Sequence, residues 1–366
     1  MYELMRGDNL RSSYKKEDVI LLLKDITGLV KPQPANERER LIQSGRHYCE
    51  MLPIEYVPTE AYMRVYKEVL PIYAKPVAAA AARLAERILQ KKGEHTVLVS
   101  LARAGIPAGI LLKRYLRSYC HADLPHYAIS IIRGKGIDHN AMRYLLDRYE
   151  PGSLLFVDGW TGKGAILQEL RKATAAYSGV SCDLAVLADP ANMTSLCGTH
   201  EDILIPSSCL NSTVSGLISR TFLRNDIIGQ DDFHGAAYYG ELEHADLSYA
   251  YIAAIEQHFP ALAKTTAHRH STKDTSHTAD TGLAEVRQLA KSLSVSDLNL
   301  VKPGIGETTR VLLRRVPWKV LIAPHCTCDP SLRHILRLAK ERNVPVEAYP
   351  LRHYKCCGII RQLADL

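Results

Sequence analysis

The sequence predicts an α/β fold in which helices cover both faces of a mostly parallel sheet, followed by a small second α/β domain. Apolar runs at 96–101, 153–158 and 184–188 alternate with helical segments, as expected of a parallel sheet whose strands are buried on both faces. The first two runs each end in a loop of small residues before a helix begins. A polar stretch at 263–281, without Leu, Ile, Val or aromatic residues, separates this part from a shorter α/β pattern and predicts a flexible linker.

The predicted elements follow each other along the chain with few interruptions. In the first part we expect helices at 17–23, 37–51 and 60–91, the last interrupted at Pro71 and Pro76. From residue 96 onwards we expect strands at 96–101, 127–132, 153–158, 184–188 and 203–205, with helices at 106–118 and 164–176. Near the C-terminus we expect a helix opening at 303–310, a strand at 319–322, a helix at 331–342 and a strand beginning at 344–347.

Length and composition place the chain among ordinary globular proteins. Its 366 residues suffice for two domains with their own cores, and 46% of them are hydrophobic against 23% charged. The N-terminus lacks the apolar core of a signal peptide, and no stretch is long enough to span a bilayer. The nine cysteines are an odd number scattered along the chain, which favours reduced thiols over a disulfide framework. These features predict a cytoplasmic protein without membrane contact.

The net charge of +7 is concentrated at one end of the chain. Residues 285–366 carry 14 Lys and Arg against 7 Asp and Glu, whereas residues 1–284 carry 32 of each. Such an asymmetry favours an anionic partner for the C-terminal part, with nucleic acid as the first choice. A solvated basic face would give the same counts, so both interpretations stay open.

A glycine-rich turn follows Asp158 at the end of the run 153–158. Backbone N–H groups in such a turn, together with the dipole of the following helix, favour a phosphate group. Asp158 itself stands where open α/β sheets place their ligands, at the carboxyl end of a strand. The residues expected to hold the phosphate, by backbone, hydroxyl or charge, are Gly159, Thr161, Gly162, Lys163 and Gly164.

A second loop with the same features follows the run 96–101. It consists of small residues around Arg103 and leads directly into a helix. Two anion-accepting turns on different strands predict one ligand with two phosphate groups. Neither the Walker pattern GxxxxGK[ST] nor the dinucleotide fingerprint GxGxxG is present.

Together the two loops resemble those of type I phosphoribosyltransferases. The segment Ser100–Gly105 matches the family's Ser-x-x-Arg-x-Gly loop, which holds pyrophosphate, and 158–164 matches the loop that holds a 5′-phosphate. Gly159 stands where the family has a second acidic residue that contacts ribose. More closely, segments 37–50, 97–105, 125–138 and 153–170 resemble phosphoribosyltransferase-like proteins of bacterial tellurite-resistance and stress gene clusters, some of which are named cysteine protease StiP. This resemblance covers most of residues 10–255.

The resemblance implies transfer of a phosphoribosyl group from phosphoribosyl pyrophosphate to a nucleobase-like acceptor. Mg²⁺ would be held through the substrate, with Asp158 as its one candidate protein ligand, and Asp158 would also stabilise the oxocarbenium-like transition state. The basic loop with Arg133 and Lys135 would close over the pyrophosphate. The pyrophosphate itself would be held by Arg103 with Ser100, Ala102, Ala104 and Gly105. Residues 206–260 would form a hood over the base or a purely structural extension, and relatives of this fold often form homodimers.

The C-terminal part resembles the Pelota-type RNA-binding domain of the L7Ae superfamily. The family's Gly-x-Asn-Glu-x-x-Lys helix start matches 304–310, with Gly in place of Asn and Arg in place of Lys, and 343–346 matches its later Asn-Val-Pro-Val element. By this resemblance the RNA contacts are Gly304, Gly306, Glu307 and Arg310. A protein-interaction version of the fold is the alternative. The predicted division is thus 1–260, a flexible linker at 261–283, and an RNA-binding domain at 284–366.

Three alternatives to this functional interpretation remain. A nucleotide-sensing, RNA-binding regulator would keep the fold without the reaction. A cysteine protease needs a thiol beside a histidine that a third group orients; Cys182, Cys197 and Cys209 stand near strand ends and His234 follows them, but no local pattern marks a nucleophile. A zinc site could use 325–328, 353 and 356–357, although these spacings match no standard zinc pattern.

Overall fold

The computed structural model of the protein describes residues 10–266 and 281–362. Its helices are α1 (Ala35–Gln43), α2 (Glu60–Lys92), α3 (Gly105–Tyr119), α4 (His139–Leu146), α5 (Ala165–Thr174), α6 (Ser248–Glu256), α7 (Phe259–Thr266), α8 (Thr281–Ser292), α9 (Ile305–Arg314) and α10 (Arg333–Glu341). Its strands are β1 (Ile20–Leu21), β2 (Lys24–Asp25), β3 (Val97–Leu101), β4 (His126–Ile129), β5 (Ile131–Ile132), β6 (Gly136–Ile137), β7 (Leu154–Trp160), β8 (Leu184–Ala188), β9 (Cys197–Thr199), β10 (Gly235–Ala236), β11 (Val301–Pro303), β12 (Pro317–Ile322), β13 (Val346–Ala348) and β14 (Cys356–Ile360). Within the two described ranges, none of the helices combines the length and apolarity that a bilayer crossing requires.

A six-stranded parallel sheet forms the centre of the first part, in the order β1-β4-β3-β7-β8-β9. Alternate side chains of its strands enter two cores, because successive residues of a strand point to opposite faces. Leu98 and Leu155 pack on the side of α2 and α3, whereas Val99 and Phe156 pack on the side of α4 and α5. The predicted α/β fold with helices on both faces is therefore confirmed.

Four local predictions in this part were wrong. The helix expected at 37–51 ends at Gln43, and only a short 3₁₀ helix at Tyr48–Glu50 follows it. Residues 17–23 form no helix, because β1 pairs with β4 at the edge of the sheet. The last strand of the sheet is β9, whereas residues 203–205 lead into Pro206, which has no backbone N–H for a sheet ladder. Helix α2 is not interrupted at its two prolines; one face of its alanine-rich second half is buried, and this packing outweighs the hydrogen bonds lost at the prolines.

The C-terminal part is a separate small α/β layer, as expected. Its sheet has the order β11-β14-β12-β13, in which β14 runs antiparallel to β11 and β12, and β12 runs parallel to β13. Residues 267–280 of the linker expected at 261–283 lie outside the described ranges. The two ends of the expected linker belong to helices α7 and α8.

The second domain packs with the start of α9 against the carboxyl edge of the first sheet. Asp202 accepts hydrogen bonds from the backbone N–H groups of Ile305 (3.1 Å) and Lys355 (2.9 Å). Gly306 lies so close to Trp160 that a Cβ atom there would stand 2.2 Å from its indole ring. The carboxylate at the amino end of α9 also meets the positive end of the helix dipole. Backbone and side-chain contacts therefore hold the two domains together.

Replacement of Asp202 by alanine should loosen this contact. Two buried N–H groups would lose their acceptor, so we expect the free energy of unfolding to fall by about 1–3 kcal/mol. Urea denaturation followed by circular dichroism measures the change. The matched control is Asp226→Ala, since this exposed carboxylate pairs with neighbouring Arg224 on the surface and its loss should leave the midpoint unchanged. Equal midpoints for both variants would contradict the role given to Asp202.

Candidate functional site

The two anion-accepting loops expected from the sequence meet at the carboxyl ends of the neighbouring strands β3 and β7. A Cβ atom on Gly105 would lie 2.4 Å from the carbonyl oxygen of Val157, so glycine is needed for this close approach. A cavity of about 310 Å³ opens beside the loops. Of the predicted site residues, those that line it are Ala102, Arg103, Ala104, Arg133, Asp158, Thr161, Gly162, Lys163, Gly164, Glu307 and Arg310.

Six of the predicted site residues are not among those that line the cavity: Ser100, Gly105, Lys135, Gly159, Gly304 and Gly306. The buried hydroxyl of Ser100 lies 2.7 Å from His126 Nε2 and donates to the carbonyl of Gly105 (3.1 Å), so it supports the first loop from behind. Lys135 is exposed on the turn between β5 and β6. The predicted site residues therefore fall into two groups, those that line the cavity and those that lie outside it.

The cations of the first loop region are engaged by neighbouring residues. Buried Arg103 donates from Nη1 to Glu55 (3.1 Å) and to the carbonyl oxygen of Ile218 (2.8 Å). Arg133 donates from Nη1 to Asn299 (2.9 Å), which belongs to the second domain. The segment expected to form a hood, 206–260, supports Arg103 through the carbonyl of Ile218 and lines the cavity with Arg220 and Thr221.

The second domain covers the glycine-rich loop. The amine of Lys163 contacts the carbonyl oxygens of Leu298 and Val301 in the second domain, and burial lowers its pKa to about 8. A Cβ atom on Gly162 would stand 2.9 Å from the side chain of Glu307. Asp158 accepts from the N–H of Gly159 at 2.7 Å, and burial raises its pKa to about 6 against the opposing effect of nearby Arg310.

The four residues expected to contact RNA face the first domain. Glu307 and Arg310 form an ion pair of 2.7 Å, and the guanidinium of Arg310 stacks 4.4 Å from the Trp160 ring centroid. Gly306 contacts the same indole, and Gly304 lies beside Asp202 with a positive φ of +85°. RNA binding by these residues stays a prediction, and in this structure Glu307 and Arg310 line the cavity.

Four cations in the cavity wall escaped the sequence analysis as site residues. Arg220 comes from the segment after the first sheet, and Lys302, Arg314 and Arg315 come from the second domain. For the three cations of the second domain, the charge excess of residues 285–366 was the signal in the sequence. No local sequence pattern shows that these cationic side chains face a cavity between the domains rather than solvent.

A thiol, an imidazole and a carboxylate meet at the end of β8 and β9. Cys197 Sγ lies 3.3 Å from His200 Nε2, and His200 Nδ1 lies 3.1 Å from the carbonyl oxygen and 3.8 Å from the carboxylate of Asp189. In the part of the chain that the structure describes, this is the one group of three side chains with the ligand types and spacing of a metal site. Cys197 was considered from the sequence, but His200 and Asp189 were missed.

Asp189 is held rigidly by its surroundings. It is fully buried, and its carboxylate accepts from the hydroxyl of Thr161 and from the N–H groups of Met193 (2.6 Å) and Thr194 (2.8 Å). These bonds fix the turn that brings the Asp189 carbonyl against His200. Asp189 therefore orients the imidazole mainly through its backbone oxygen, with its charge nearby.

Burial dominates the chemistry of Cys197. The residue is 0% exposed, and desolvation together with the charge of Asp189 raises the pKa of its thiol to about 11, against the opposing effect of Arg87 and Arg83. His200 is the accessible member, with 38% of its side chain exposed. The thiol is thus protonated at neutral pH, with an imidazole within reach to accept its proton.

A second cysteine also lies beside a histidine, in a different setting. Cys49 Sγ is 2.9 Å from His47 Nδ1, and His47 Nε2 is 3.0 Å from the carbonyl oxygen of Arg133. The same Nδ1 accepts from the backbone N–H of Cys49, as the cap of a short 3₁₀ helix. No carboxylate completes this pair among the contacts of the described residues, so we regard His47 as a structural cap.

The remaining cysteine and zinc alternatives receive no support from the geometry. His234 lies 2.9 Å from Ser130 Oγ, and Cys209 is fully buried. His353 pairs with Glu285 at 2.6 Å, and Cys356 donates to Thr308. Across the described ranges, the cysteines and histidines between 325 and 357 form no group of three within ligand distance of one another.

Comparisons with known proteins follow the same division of the chain. Residues 12–256 match the family model described as tellurite-like stress resistance cysteine protease StiP, and residues 280–362 match the PELOTA RNA binding domain. A relative from Acinetobacter baylyi (strain ATCC 33305 / BD413 / ADP1), named cysteine protease StiP, is 34% identical over 374 aligned positions, which cover 99% of this chain and 97% of the relative.

Solved phosphoribosyltransferases are similar to a smaller part of the chain. The xanthine-guanine-hypoxanthine enzyme of Helicobacter pylori has 22% identity and a TM-score of 0.23, covering 30% of this chain and 68% of its own. A hypoxanthine-guanine enzyme of Bacillus anthracis has 14% identity and a TM-score of 0.22, covering 38% and 72%. Scores this low give no argument about activity.

These comparisons overturn the main functional prediction. Phosphoribosyl transfer, with phosphoribosyl pyrophosphate as donor, is wrong as the primary interpretation, because the relative matched along nearly the whole chain carries a protease name. The cysteine-protease alternative agrees better with the family. The Mg²⁺ prediction stays untested, and Asp158 and Glu307 are the carboxylates that line the cavity. Since the StiP model matches residues 12–256 and the relative aligns along 99% of the sequence, the chain belongs to the StiP family of tellurite-like stress resistance proteins.

Proposed function

We propose that the protein is a thiol-dependent peptidase in which Cys197 is the nucleophile, His200 the general base and Asp189 the group that orients His200. The observation that carries this proposal is the 3.3 Å separation of Cys197 Sγ and His200 Nε2, with His200 Nδ1 at 3.1 Å from the Asp189 carbonyl. A nucleophile beside a base that a third group orients is the arrangement that covalent catalysis requires. The names of the matched family and relative point to the same chemistry.

In the proposed mechanism, Nε2 of His200 accepts and returns the proton that is transferred. With a hydrogen on Nδ1 bonded to the Asp189 carbonyl, Nε2 of His200 is left with its lone pair towards the Cys197 thiol. As sulfur attacks the peptide carbonyl carbon, Nε2 takes the thiol proton, and it returns that proton to the leaving amine when the C–N bond breaks. A water molecule, deprotonated by the same nitrogen, then hydrolyses the thioester and releases the thiol. The Asp189 carboxylate, 3.8 Å from Nδ1, stabilises the transient imidazolium.

Neighbouring side chains block access to the edge strand that carries the Cys197 sulfur. Arg83 and Arg87 on α2 donate to the carbonyl oxygens of Gly198 (2.9 Å) and Cys197 (3.0 Å), which lie on the edge strand β9. An extended peptide could add to this edge only after these arginines release it, because they occupy the acceptors of the strand. We therefore expect slow turnover with unselected peptides and faster turnover where a substrate competes for the edge.

Loss of the thiol or of the imidazole should abolish peptide cleavage. We expect Cys197→Ala and His200→Ala to lower the cleavage rate by about a thousandfold or more, because the nucleophile and the base act as one unit. Cleavage of a peptide library, read by mass spectrometry, measures this loss. Cys182→Ala and His47→Ala are the matched controls and should keep the wild-type rate.

Two outcomes would contradict the assignment. Full cleavage by Cys197→Ala would exclude this sulfur as the nucleophile, and loss of cleavage in His47→Ala alone would move the site to Cys49. Thiol, imidazole and carboxylate are also ligand types that zinc accepts. Cleavage that a zinc chelator stops while Cys197 stays unalkylated would indicate a metal centre instead.

The pH dependence of alkylation tests the state of the thiol. Because burial raises the pKa of Cys197 to about 11, its thiolate fraction at neutral pH is small, and the rate of iodoacetamide labelling should rise about tenfold per pH unit up to that value. Exposed Cys328 should be labelled first at every pH. Peptide mapping by mass spectrometry follows both residues. Rapid labelling of Cys197 that levels off near pH 7 would reveal a preformed thiolate–imidazolium pair and refute the neutral starting state.

A further inference from the structure

We propose that the cavity between the two domains binds a small, multiply charged phosphate ester of nucleotide size. This inference is independent of the peptidase proposal. The cavity wall carries eight cationic side chains: Arg103, Arg133, Lys163, Arg220, Lys302, Arg310, Arg314 and Arg315. Only two carboxylates, Asp158 and Glu307, line it with them. Even when Glu55 and Glu39 are added as the partners of two of the arginines, eight cations face four anions.

Two of these cations have neither an ion-pair nor a hydrogen-bond partner among the described residues. Among the described residues, no carboxylate lies within 4.0 Å of the Lys302 amine or the Arg220 guanidinium, and neither group donates a hydrogen bond. Arg220 stacks 4.4 Å from the Tyr48 ring centroid, and Arg314 donates from Nε to the side-chain oxygen of Asn211. The side chains of Lys302, Arg220 and Arg314 line the same cavity, where a single bound anion could contact them together.

The charges of the cavity wall repel one another. Burial and the nearby charges of Lys163, Arg133 and Arg315 lower the pKa of Lys302 to about 7, while Glu307 opposes the effect. Burial and three other arginines likewise lower the pKa of Arg220 to about 10. Proteins rarely keep buried cations without compensation, since each loses its hydration. The arrangement becomes favourable when an anion enters.

Size and donor geometry select the chemical class. The cavity volume of about 310 Å³ lies at the lower end of the range for small-molecule sites, which suits a nucleotide or a compact polyphosphate. Guanidinium groups present paired N–H donors that match phosphate oxygens. An RNA strand fits less well, because the cavity lies between two packed domains rather than along an open groove. The ligand would touch both domains and so stabilise their contact.

Calorimetry and thermal unfolding of the full chain with ATP, ADP, AMP and tripolyphosphate test this inference. We expect the more highly charged probes to bind more tightly, to raise the melting temperature in proportion to their affinity, and to bind more weakly as salt is added. Tripolyphosphate binding equal to that of ATP would assign the site to phosphate alone. Tighter binding of ATP would show that the nucleoside is also contacted.

Two variants separate ligand contact from a structural role. Lys302→Gln and Arg220→Gln should weaken ATP binding at least about tenfold. Because each removes a partly buried cation that no carboxylate neutralises, the ligand-free melting temperature should stay equal to that of the wild type or rise, which a structural cation would not allow. Lys340→Gln is the control, an exposed cation of the same domain outside the cavity, and should change neither quantity.

Clear results would overturn the inference. These are absence of binding for all four probes, binding that both variants leave unchanged, or binding of an RNA oligonucleotide that ATP does not displace. Cys197→Ala should bind ATP like the wild type, so failure of the peptidase proposal and failure of this one are distinguishable.

Discussion

The contact between Asp202 and the amino end of α9 is the constraint on which the rest of the structure depends. Two backbone N–H groups of the second domain bind this one carboxylate, and the absence of a side chain at Gly306 lets the helix lie directly on Trp160. With α9 in that position, the basic residues of the second domain face the carboxyl edge of the first sheet. The way in which the second domain packs here therefore encloses the cavity and supplies much of its positive charge.

One hydrogen bond joins the cavity to the Cys–His group. Thr161 lines the cavity, and its hydroxyl donates to the side-chain carboxylate of Asp189. The backbone carbonyl oxygen of the same Asp189 lies against His200 and orients its imidazole. The carboxylate is rigid because two backbone N–H groups also hold it. A displacement of the glycine-rich loop would therefore act on the turn that positions the imidazole. The two proposed sites are separate in their ligands but share this turn.

The sequence was sufficient where burial alone decides the structure and insufficient where tertiary contacts decide. Strands buried on both faces, such as β3 and β7, are visible as continuous apolar runs, and the close approach of their loops follows from the parallel sheet. The ends of the sheet were not predictable, because β1 and β9 are short and owe their pairing to a neighbour. Asp189, Cys197 and His200 stand at spacings that match no motif, so only the fold brings them together. The direction in which α9 packs also has no local signal.

The glycine-rich loops explain in physical terms why phosphoribosyl transfer was predicted wrongly. A glycine-rich turn at the end of a parallel strand specifies a place where an anion is stable, and it contains no information about which bond is broken. In this protein the turn keeps its shape, but Lys163 is bound to carbonyl oxygens of the second domain and Gly162 is covered by Glu307. The anion site that we propose therefore depends mainly on cations contributed by both domains. The two proposals rest on different residues, because anion binding involves the cavity wall and covalent chemistry involves the thiol at the edge strand.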